Sequence, residues 1–452
     1  MEYNNKTVLI VGLAKSGVAA ARFLNNRGAH VVIKEDKPYG ELEDAVKQLR
    51  GLEIEYHLKG DFGVPFDKCS LVVVSPGVPL DHPTITAALT NNIPVISEIE
   101  LASRHCSAQL IAITGTNGKT TTTALTGEIL KAGGRKTFVA GNIGIPMIEV
   151  VEDAKAGDVI VCEVSSFQLE TICLFNPYIA AILNITEDHL NRHKTMDNYL
   201  RAKTRIYENQ RSHQFLVINR DDNILMDSVR NAKARVLYFS RKSSLREGCY
   251  VDNGSIVIST EGKKIPVCSV KDLKILGEHN IENALAACII GFTAGVSVQD
   301  IGRALTEFPG VEHRIEYVDT INGVEYYNDS KGTNPEASIR AINAMNRPIV
   351  LIAGGMDKGS DFSSFIGQFF GRVKDLVLLG ETADRMEAQA IQQGFKNIHK
   401  VSSLEEAVDK SSQLAQWGDC VLLSPACASW DMFKDYEERG RLYKKAVSNL
   451  RR

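Results

Sequence analysis

The segment from Ile111 to Thr121 constrains the fold more than any other part of the chain. It reads IAITGTNGKTT, so a short apolar strand runs into a glycine-containing loop and then into a helix that begins with Lys-Thr. Glycines let backbone N–H groups turn inward around phosphate oxygens, and the N-terminal end of the helix adds partial positive charge. The side chain of Lys119 is then placed to reach the β- and γ-phosphates of a nucleotide, and the Thr120 hydroxyl to ligate Mg²⁺.

The spacing of this loop differs from the common phosphate loop, which has a glycine five residues before the position of Gly118. Ile113 occupies that place here, so we predict a shortened loop. The alternative is a glycine-rich turn with an exposed lysine, but strand, loop and helix follow in the order that phosphate binding requires. The predicted nucleotide-binding residues are Gly115, Thr116, Asn117, Gly118, Lys119, Thr120 and Thr121.

Strand and helix signals alternate along the chain, which predicts an α/β protein with parallel sheets. A first unit begins with the strand Thr7–Val11 and a second with Leu110–Ile113, while the stretch 240–264 has the composition of hairpins or loops. A break at Pro309-Gly310 precedes a third unit, which has a predicted strand at Glu325–Tyr327. The length of 452 residues is consistent with about three domains.

Two predicted central strands end close to residues that suit a metal ion. Val159–Val164 has Glu163 near its end, and Ile179–Leu183 leads into His189. Ligands of open α/β sheets bind beyond the carboxyl ends of strands, so we expect Glu163 and His189 near the triphosphate as Mg²⁺ ligands. Mg²⁺ prefers oxygen, which makes His189 the less expected ligand. A satisfied surface carboxylate and a hydrogen-bonded structural histidine are the alternatives.

Two cationic residues have weaker signals. Lys203 lies in the helical pattern Thr195–Glu208, and the pattern alone predicts an exposed lysine. Arg314 follows the break at Gly310. Arginine suits the charge that develops on a transferred phosphoryl group, although a surface ion pair explains an isolated arginine equally well.

A second glycine turn lies near the N-terminus, where Gly12–Gly17 follows a strand and opens a helix. It resembles a dinucleotide-binding turn, but Ala14 replaces the middle glycine. Glu35 and Asp36 end the next strand, where an acid that binds ribose is expected. The turn therefore predicts a dinucleotide or nucleotide-sugar site, with a structural turn as the alternative.

Composition excludes several classes of partner. The net charge is only −3, so no global field attracts nucleic acid or an anionic membrane. The nine cysteines are scattered without a CxxC pair, which indicates reduced thiols. No apolar stretch approaches the roughly 20 residues of a membrane span, and the N-terminus lacks the shape of a signal peptide. We expect a cytoplasmic monomer that binds neither nucleic acid nor membrane.

Taken together, these residues resemble the Mur ligase family of peptidoglycan synthesis. The motifs that carry the resemblance span nearly the whole chain; they are 114–121, Glu163, 184–189, 277–283, His313-Arg314, 328–334, 354–358 and 423–431. The C-terminal motifs are most similar to those of members that add D-glutamate to a UDP-linked muramoyl-alanine precursor. The resemblance implies an ATP-dependent ligase that forms an acyl phosphate and releases ADP and phosphate.

The resemblance also implies three domains. Residues 1–97 would form a Rossmann-like domain for the uridine nucleotide, and residues 98–309 a central ATPase-type domain with a parallel sheet. Residues 310–452 would form a second Rossmann-like domain that binds D-glutamate and closes over ATP.

Roles for the nucleotide side follow from matching motif to motif. Lys119 and Thr120 would hold the phosphates and Mg²⁺, and Arg314 would reach the phosphates. Lys203 aligns with a lysine that the family carbamylates, which would help Glu163 and His189 hold a second Mg²⁺. The remaining contacts to ATP would come from Asn280 and Asn283 near adenine and from Asp329 at the ribose.

The substrate side is assigned in the same way. Asn142 and His189 would contact the muramoyl precursor, and the uridine contacts would be Lys15, Ser16, Asp36 and Gly77. The D-glutamate side would comprise Lys331, Thr333, Lys358, Ser429 and Tyr436. Tyr436 stands where the family has phenylalanine, Lys15-Ser16 and Asp36-Lys37 differ from the usual forms, and the segment 193–195 is one residue shorter than expected.

Three rival functions remain open on the sequence. The Gly12–Gly17 turn allows an NAD-dependent oxidoreductase, although its altered fingerprint argues against one. A folylpolyglutamate synthase-like ligase would share the scaffold, and only the motifs around Lys331 and Ser429 and the N-terminal domain argue against it. A nucleotide-gated binding protein without turnover would not need Glu163, His189 and Lys203 together.

Overall fold

The computed structural model describes residues 3–59, 63, 66–142, 144–356 and 359–451. Two compact units divide the chain: the first runs to Asp272 and includes Glu282–Thr306, and the second comprises Leu273–Ile281 and the residues from Glu307 onward. The described strands form three sheets, two in the first unit and one in the second. The predicted α/β class with three sheets is confirmed, while the boundaries at 97/98 and 309/310 stay predictions.

The first sheet is parallel, with strand order β3-β2-β1-β4-β5. Val8 and Ile10 of its central strand lie in one hydrophobic core, and Leu9 and Val11 lie in another. Successive side chains of a strand point to opposite faces, so this apolar run is buried on both faces by helices. Its elements are β1 (Thr7–Val11), α1 (Lys15–Asn25), β2 (His30–Lys34), α2 (Glu43–Gln48), β3 (Ile54–His57), β4 (Cys69–Val74), α3 (Pro83–Thr90) and β5 (Val95–Ser97).

The central sheet has strand order β14-β13-β12-β11-β10-β9-β6-β8-β7. Its first elements are α4 (Glu98–Arg104), β6 (Gln109–Thr114), α5 (Lys119–Ala132), β7 (Thr137–Gly141), α6 (Met147–Val150), β8 (Val159–Glu163), α7 (Ser166–Leu169), β9 (Ile179–Ile182), α8 (Leu190–His193) and α9 (Met196–Thr204). They are followed by β10 (Phe215–Asn219), α10 (Asn223–Ser228), β11 (Arg235–Ser240), β12 (Gly248–Asp252), β13 (Ser255–Thr260), β14 (Lys263–Ser269), α11 (Glu278–Thr293) and α12 (Val298–Glu307).

The central sheet is parallel from β7 to β12 and antiparallel at β13 and β14. The turns between these last strands have positive φ at Asn253 and Gly254, and again at Glu261 and Gly262. Consecutive positive φ angles match the twist of a two-residue hairpin, so the predicted hairpins are confirmed. The predicted helix Thr195–Glu208 is wrong at its end, because α9 stops at Thr204 and a 3₁₀ turn follows.

The third sheet has strand order β15-β16-β20-β17-β18-β19, and β15 is its antiparallel edge strand. The parallel strands put the loops that follow β16, β17 and β20 at one edge. The elements are β15 (Glu316–Ile321), β16 (Val324–Asn328), α13 (Pro335–Ala344), β17 (Ile349–Ala353), α14 (Ser363–Ile366), β18 (Val373–Leu378), α15 (Ala383–Gln392), β19 (Ile398–Lys400), α16 (Leu404–Leu414), β20 (Cys420–Leu423) and α17 (Tyr436–Asn449).

Candidate active site

The phosphate loop lies where the strand order of the central sheet reverses. β6 pairs with β8 on one side and with β9 on the other, so Ile113 lies beside Glu163 and Thr114 beside Ile182. The loop after β6 therefore begins between the carboxyl ends of β8 and β9. Ligands of open α/β sheets bind at this kind of reversal, so the structure brings the predicted nucleotide loop and Glu163 to one edge.

The backbone of the loop requires its glycines. Gly118 has φ +83° and precedes the first residue of α5. A Cβ atom at this position would lie 2.1 Å from Oδ1 of Asn283, whose amide oxygen also accepts a hydrogen bond from Thr122 Oγ1 at 3.2 Å. The loop and Asn283 thus pack too closely for any side chain at residue 118.

Asn184 holds the phosphate loop against the segment that follows β9. Its Oδ1 accepts from the backbone N–H of Asn117 at 2.8 Å, and its Nδ2 donates to the carbonyl of Asn117 at 3.1 Å. The Thr116 hydroxyl donates to the Thr186 carbonyl at 3.1 Å. Sequence analysis assigned Asn184 no role beyond its place in a motif. The position of that motif directly after a buried strand is the signal that could have indicated a role.

Lys119 and the threonines after it occupy the start of α5. Nζ of Lys119 lies 2.8 Å from the Gly115 carbonyl and 2.7 Å from the Thr116 carbonyl, so the side chain folds back over the loop. Thr120 and Thr121 are buried. The ammonium group is therefore placed over the concave side of the loop, where phosphate oxygens would enter.

Glu163 has the surroundings of a cation ligand. Its side chain is 2% exposed, and Oε1 accepts from Nδ2 of Asn142 at 2.9 Å. Within the described residues, the buried Oε2 has no hydrogen-bond partner. A buried carboxylate oxygen without a partner is costly unless a cation binds it, and oxygen is the ligand that Mg²⁺ prefers. The residues present therefore fit Mg²⁺.

Lys203 is not the exposed lysine that the helical pattern alone predicts. It is 1% exposed, and its Nζ donates to the Gly115 carbonyl at 2.8 Å and to Thr114 Oγ1 at 3.4 Å. Burial lowers the pKa of its ammonium well below the ordinary value, and the charge of Lys119 lowers this pKa further. A lowered pKa favours the neutral amine, which is the nucleophilic form of a lysine.

His189 lies on a more open part of the same edge. Its backbone adopts φ +54° immediately before α8, and its side chain is 49% exposed. The imidazole packs 4.9 Å from the Phe167 ring, and its Nε2 lies 3.5 Å from Oδ2 of Asp188. The ring is thus supported on one side and accessible to a ligand on the other.

The first sheet has a corresponding edge around the turn Gly12–Gly17. Glu35 accepts from the backbone N–H of Leu13 at 2.7 Å, so the acid fixes the turn itself. Asp36 is exposed and lies 2.8 Å from His82 Nε2 and 3.2 Å from Lys34 Nζ. The hydrogen bond from His82 is the largest cause that lowers the pKa of Asp36. The other predicted uridine contacts are an exposed Lys15, a half-buried Ser16 and an exposed Gly77.

In the second unit, Asp329 and Arg314 lie beside β16. Asp329 is buried, and its Oδ2 accepts from Ser424 Oγ at 2.7 Å. Burial raises the pKa of Asp329 to about 6, although Ser424 and Arg314 oppose this rise. Within the described residues, Nε of Arg314 is buried without a hydrogen-bond partner. Asn280 donates through Nδ2 to the Leu276 carbonyl at 2.7 Å.

The predicted D-glutamate residues of the second unit gather near α17. Nζ of Lys331 lies 5.5 Å from the ring centre of Tyr436, and Thr333 is half-buried two residues further on. Ser429 is buried in the loop after β20. Lys358 lies outside the described residues.

Sequence analysis missed Arg439, which is 2% exposed inside the second unit. Its guanidinium donates to the carbonyl of Ser330 at 2.8 Å and to the carbonyl of Cys427 at 3.3 Å. It therefore joins the loop after β16 to the loop after β20, which contain the predicted D-glutamate residues. Burial lowers the pKa of Arg439 to about 10, so the group stays cationic. Its place in an otherwise polar helical pattern gave no indication that its side chain is buried.

Family models cover most of the chain in three parts. Residues 6–97 match the description "Mur ligase MurD-like, N-terminal domain", residues 113–291 match "Mur ligase middle domain", and residues 313–427 match "Mur ligase, glutamate ligase domain". The chain belongs to the Mur ligase family. It is an α/β ligase, and the predicted resemblance is confirmed.

Individual relatives agree with the Mur ligase assignment. UDP-N-acetylmuramoylalanine--D-glutamate ligase of Thermoanaerobacter pseudethanolicus is 50% identical over 455 residues, covering 100% of both chains. The enzyme of the same name from Alkaliphilus metalliredigens is 49% identical over 454 residues, again with 100% of both chains. The crystal structure of UDP-N-acetylmuramate-alanine ligase MurC from Thermotoga maritima has the same fold, with a TM-score of 0.63, 19% identity, and coverage of 98% of this chain and 99% of the other.

Among the helices of the described residues, none has the length and apolar character that a membrane crossing needs.

Proposed function

We propose that this Mur ligase uses ATP to add D-glutamate to UDP-N-acetylmuramoyl-L-alanine and releases ADP and phosphate. The observation that carries the proposal is the meeting of the phosphate loop, Glu163 and the buried Lys203 at one reversal of strand order. Two relatives that are 50% and 49% identical over their whole lengths have a name that states the two substrates joined, UDP-N-acetylmuramoylalanine and D-glutamate.

The first step activates the acid. A carboxylate oxygen of the L-alanyl group attacks the γ-phosphorus of ATP, the bond to the β-phosphate oxygen breaks, and ADP leaves. Lys119 and the N–H groups of the phosphate loop bind the oxygens that gain charge, and Arg314 is also assigned to the phosphates. The product is an acyl phosphate, which is a far better acyl donor than a carboxylate.

The second step forms the amide bond. The amine of D-glutamate attacks the acyl carbon, the tetrahedral intermediate collapses, and phosphate leaves with the bonding electron pair. The attacking nitrogen loses a proton to solvent or phosphate. Positioning accounts for most of the acceleration, because the protein forms no covalent bond to the substrate in this scheme.

We propose that two Mg²⁺ ions are held by Glu163, His189, Thr120 and a modified Lys203. When bound, Mg²⁺ neutralises the charge on the phosphate oxygens and orients them. The unpartnered Oε2 of buried Glu163 supports this assignment.

Carbamylation of Lys203 is part of the same proposal. The neutral amine of Lys203 attacks CO₂, a C–N bond forms, and the nitrogen loses a proton, so the side chain ends in a carbamate anion. The lowered pKa of the buried amine favours this reaction. A ¹³C NMR spectrum of the protein in ¹³C-bicarbonate tests it: a carbamate signal is expected, and it should be absent from Lys203→Arg.

The substrate contacts follow the proposed domains 1–97, 98–309 and 310–452. Asn142, whose side chain also binds Glu163, contacts the muramoyl part. We assign uridine to Lys15, Ser16, Asp36 and Gly77, and the nucleoside of ATP to Asn280, Asn283 and Asp329. We assign D-glutamate to Lys331, Thr333, Lys358, Ser429 and Tyr436. A cytoplasmic monomer is proposed, and light scattering of the purified protein tests its mass.

Phosphate release tests the reaction directly. The assay combines the protein, ATP, Mg²⁺ and UDP-N-acetylmuramoyl-L-alanine with D-glutamate, L-glutamate, L-lysine or L-alanine. Turnover with D-glutamate alone is expected. Turnover with L-glutamate or L-lysine but not D-glutamate would contradict the proposed substrate, and phosphate release that ignores the amino acid would contradict the ligase reaction.

A further inference from the structure

Glu98 is a buried acid between the first sheet and the central sheet, and the proposed reaction does not use it. It is the first residue of α4 and is 1% exposed. Its Oε1 accepts a hydrogen bond of 2.6 Å from the backbone N–H of Ile148. Within the described parts of the chain, its buried Oε2 has no partner.

Ile148 belongs to α6, which begins directly after the loop that contains Asn142. At its near end, this loop is bound to β8, because the backbone N–H and the side chain of Asn142 donate to the Glu163 carbonyl and to Glu163 Oε1, each at 2.9 Å. The loop is also closed by a bond of 2.9 Å from the Gly141 N–H to the Ile145 carbonyl. The hydrogen bond from Ile148 to Glu98 fixes its far end.

Glu100 lies two residues further along α4 and shows the hydrogen bonding of a purely structural buried glutamate. It is 0% exposed, and its two oxygens accept from the backbone N–H groups of Cys173, Leu174 and Phe175 and from Arg104 Nε. Both of its oxygens are therefore used. Among the residues that the structure describes, Glu98 leaves one oxygen unused, and a buried polar atom without a partner lowers stability. An apolar residue would fill this space at less cost, which argues for a role of the carboxyl group in the loop.

We propose that Glu98 is a positioning residue for the loop that precedes α6, and through Asn142 for the muramoyl part of the precursor. The proposal rests on the proposed function, because it takes the precursor as the ligand of Asn142. It assigns no contact between Glu98 and the substrate.

Steady-state kinetics of Glu98→Ala and Glu98→Gln test the proposal. Ala leaves the Ile148 N–H without its acceptor, so KM for the UDP-linked precursor should rise about tenfold, while KM for ATP changes less than about twofold. Gln keeps an acceptor oxygen in place, so its KM values should stay within about threefold of the wild type. Glu149→Gln, on the next residue of α6, is a control that should leave all KM values unchanged.

Amide hydrogen exchange provides a readout that needs no turnover. In Glu98→Ala, the peptide covering residues 144–150 should exchange faster, while the hairpin peptide 248–269 should exchange as in the wild type. Unchanged exchange at 144–150, equal rises of all KM values, or a Gln variant as impaired as the Ala variant would each overturn the proposal. Failure of the wild type to use the precursor and D-glutamate would instead overturn the proposed function, and exchange would still decide whether Glu98 holds the loop.

Discussion

The first unit contains two sheet edges that are built alike and charged differently. At both edges a strand runs into a glycine turn and then into a helix, β1 into α1 and β6 into α5. At the edge of the first sheet, Asp36 is exposed and paired with His82 and Lys34. At the edge of the central sheet, Glu163 and Lys203 are buried, and Glu163 has an oxygen without a partner among the described residues.

The difference indicates what each edge does. Charges that are exposed and already paired cost little to maintain, and they suit the recognition of a polar ligand. Buried charges without full hydrogen bonding destabilise the fold, and such groups concentrate where chemistry occurs. In the proposed function, the same strand–turn–helix unit therefore serves recognition in one sheet and catalysis in the other, according to the side chains that surround it.

Substitution of Glu163 should produce the largest effect on activity. Glu163→Gln keeps an oxygen for Asn142 and removes the negative charge, so kcat should fall by about 10³-fold. Its free energy of unfolding should stay within about 1 kcal/mol of the wild type, because the geometry is conserved. Phosphate release and urea unfolding measure the two quantities. A variant that retains activity would break the contrast between the edges.

The pH dependence of stability tests the acid that lies between the two sheets. Burial raises the pKa of Glu98 from 4.5 to about 7, so the folded protein binds this proton more tightly than the unfolded chain. Its contribution to stability is thus largest below about pH 4.5 and is lost as the pH rises to about 7, by about 3 kcal/mol in total.

Glu98→Gln cannot ionise and should lack this decline. Its free energy of unfolding relative to the wild type should rise by about 3 kcal/mol between about pH 4 and about pH 8. Urea unfolding at both pH values measures the change, and Asp44→Asn, on the exposed helix α2, controls for general charge effects. Parallel stability curves for the wild type and Glu98→Gln would show that Glu98 does not titrate in this range.

A pair of glycine substitutions separates backbone strain from crowding at the phosphate loop. Gly118 and Gly134 have similar angles, φ +83° and φ +77°, but a Cβ at Gly134 meets nothing within 4 Å. Gly134→Ala should therefore cost about 1 kcal/mol of stability, and Gly118→Ala about 2 kcal/mol more because it meets Asn283. Only Gly118→Ala should raise KM for ATP. Equal losses in both variants would mean that the loop adjusts freely.

Substitution of Asp36 should give the smallest effect, and it tests the comparison at the edge of the first sheet. Asp36→Asn removes the charge that pairs with His82 and Lys34, so KM for the UDP-linked precursor should rise about tenfold. The melting temperature should not change measurably, because the residue is exposed. Asp44→Asn, in the exposed helix α2, is the matched control for both measurements. A loss of stability in Asp36→Asn alone would make this edge structural.

The central part of the fold could be predicted because its signals are local. An apolar strand, a glycine loop and a Lys-Thr start of a helix are consecutive in sequence, and β6 and α5 lie where the pattern places them. Strand alternation likewise anticipated β1 with its observed bounds. The position of Glu163 at the sheet edge could also be predicted. It follows from the end of an apolar strand, which can be recognised without knowing which strands lie beside it.

The features that escaped prediction depend on contacts between distant segments. The helical pattern around Lys203 gave no sign that its amine reaches the Gly115 carbonyl, 88 residues away in sequence. Arg439 bonds to Ser330 over 109 residues, and Glu98 bonds to Ile148 over 50 residues. In each case, burial of a polar group is decided by packing partners that periodicity does not encode.

The buried Arg439 has a consequence for the order in which the chain is made. Its helix is the last element, yet its guanidinium joins Ser330 to Cys427, and β16 pairs directly with β20. During synthesis, β16 and β20 can pair before the final helix emerges, but the loops that follow them lack the Arg439 guanidinium that joins them until then. Translation that stops shortly before Arg439 would thus release a chain with an intact nucleotide-binding sheet and an unfinished C-terminal one.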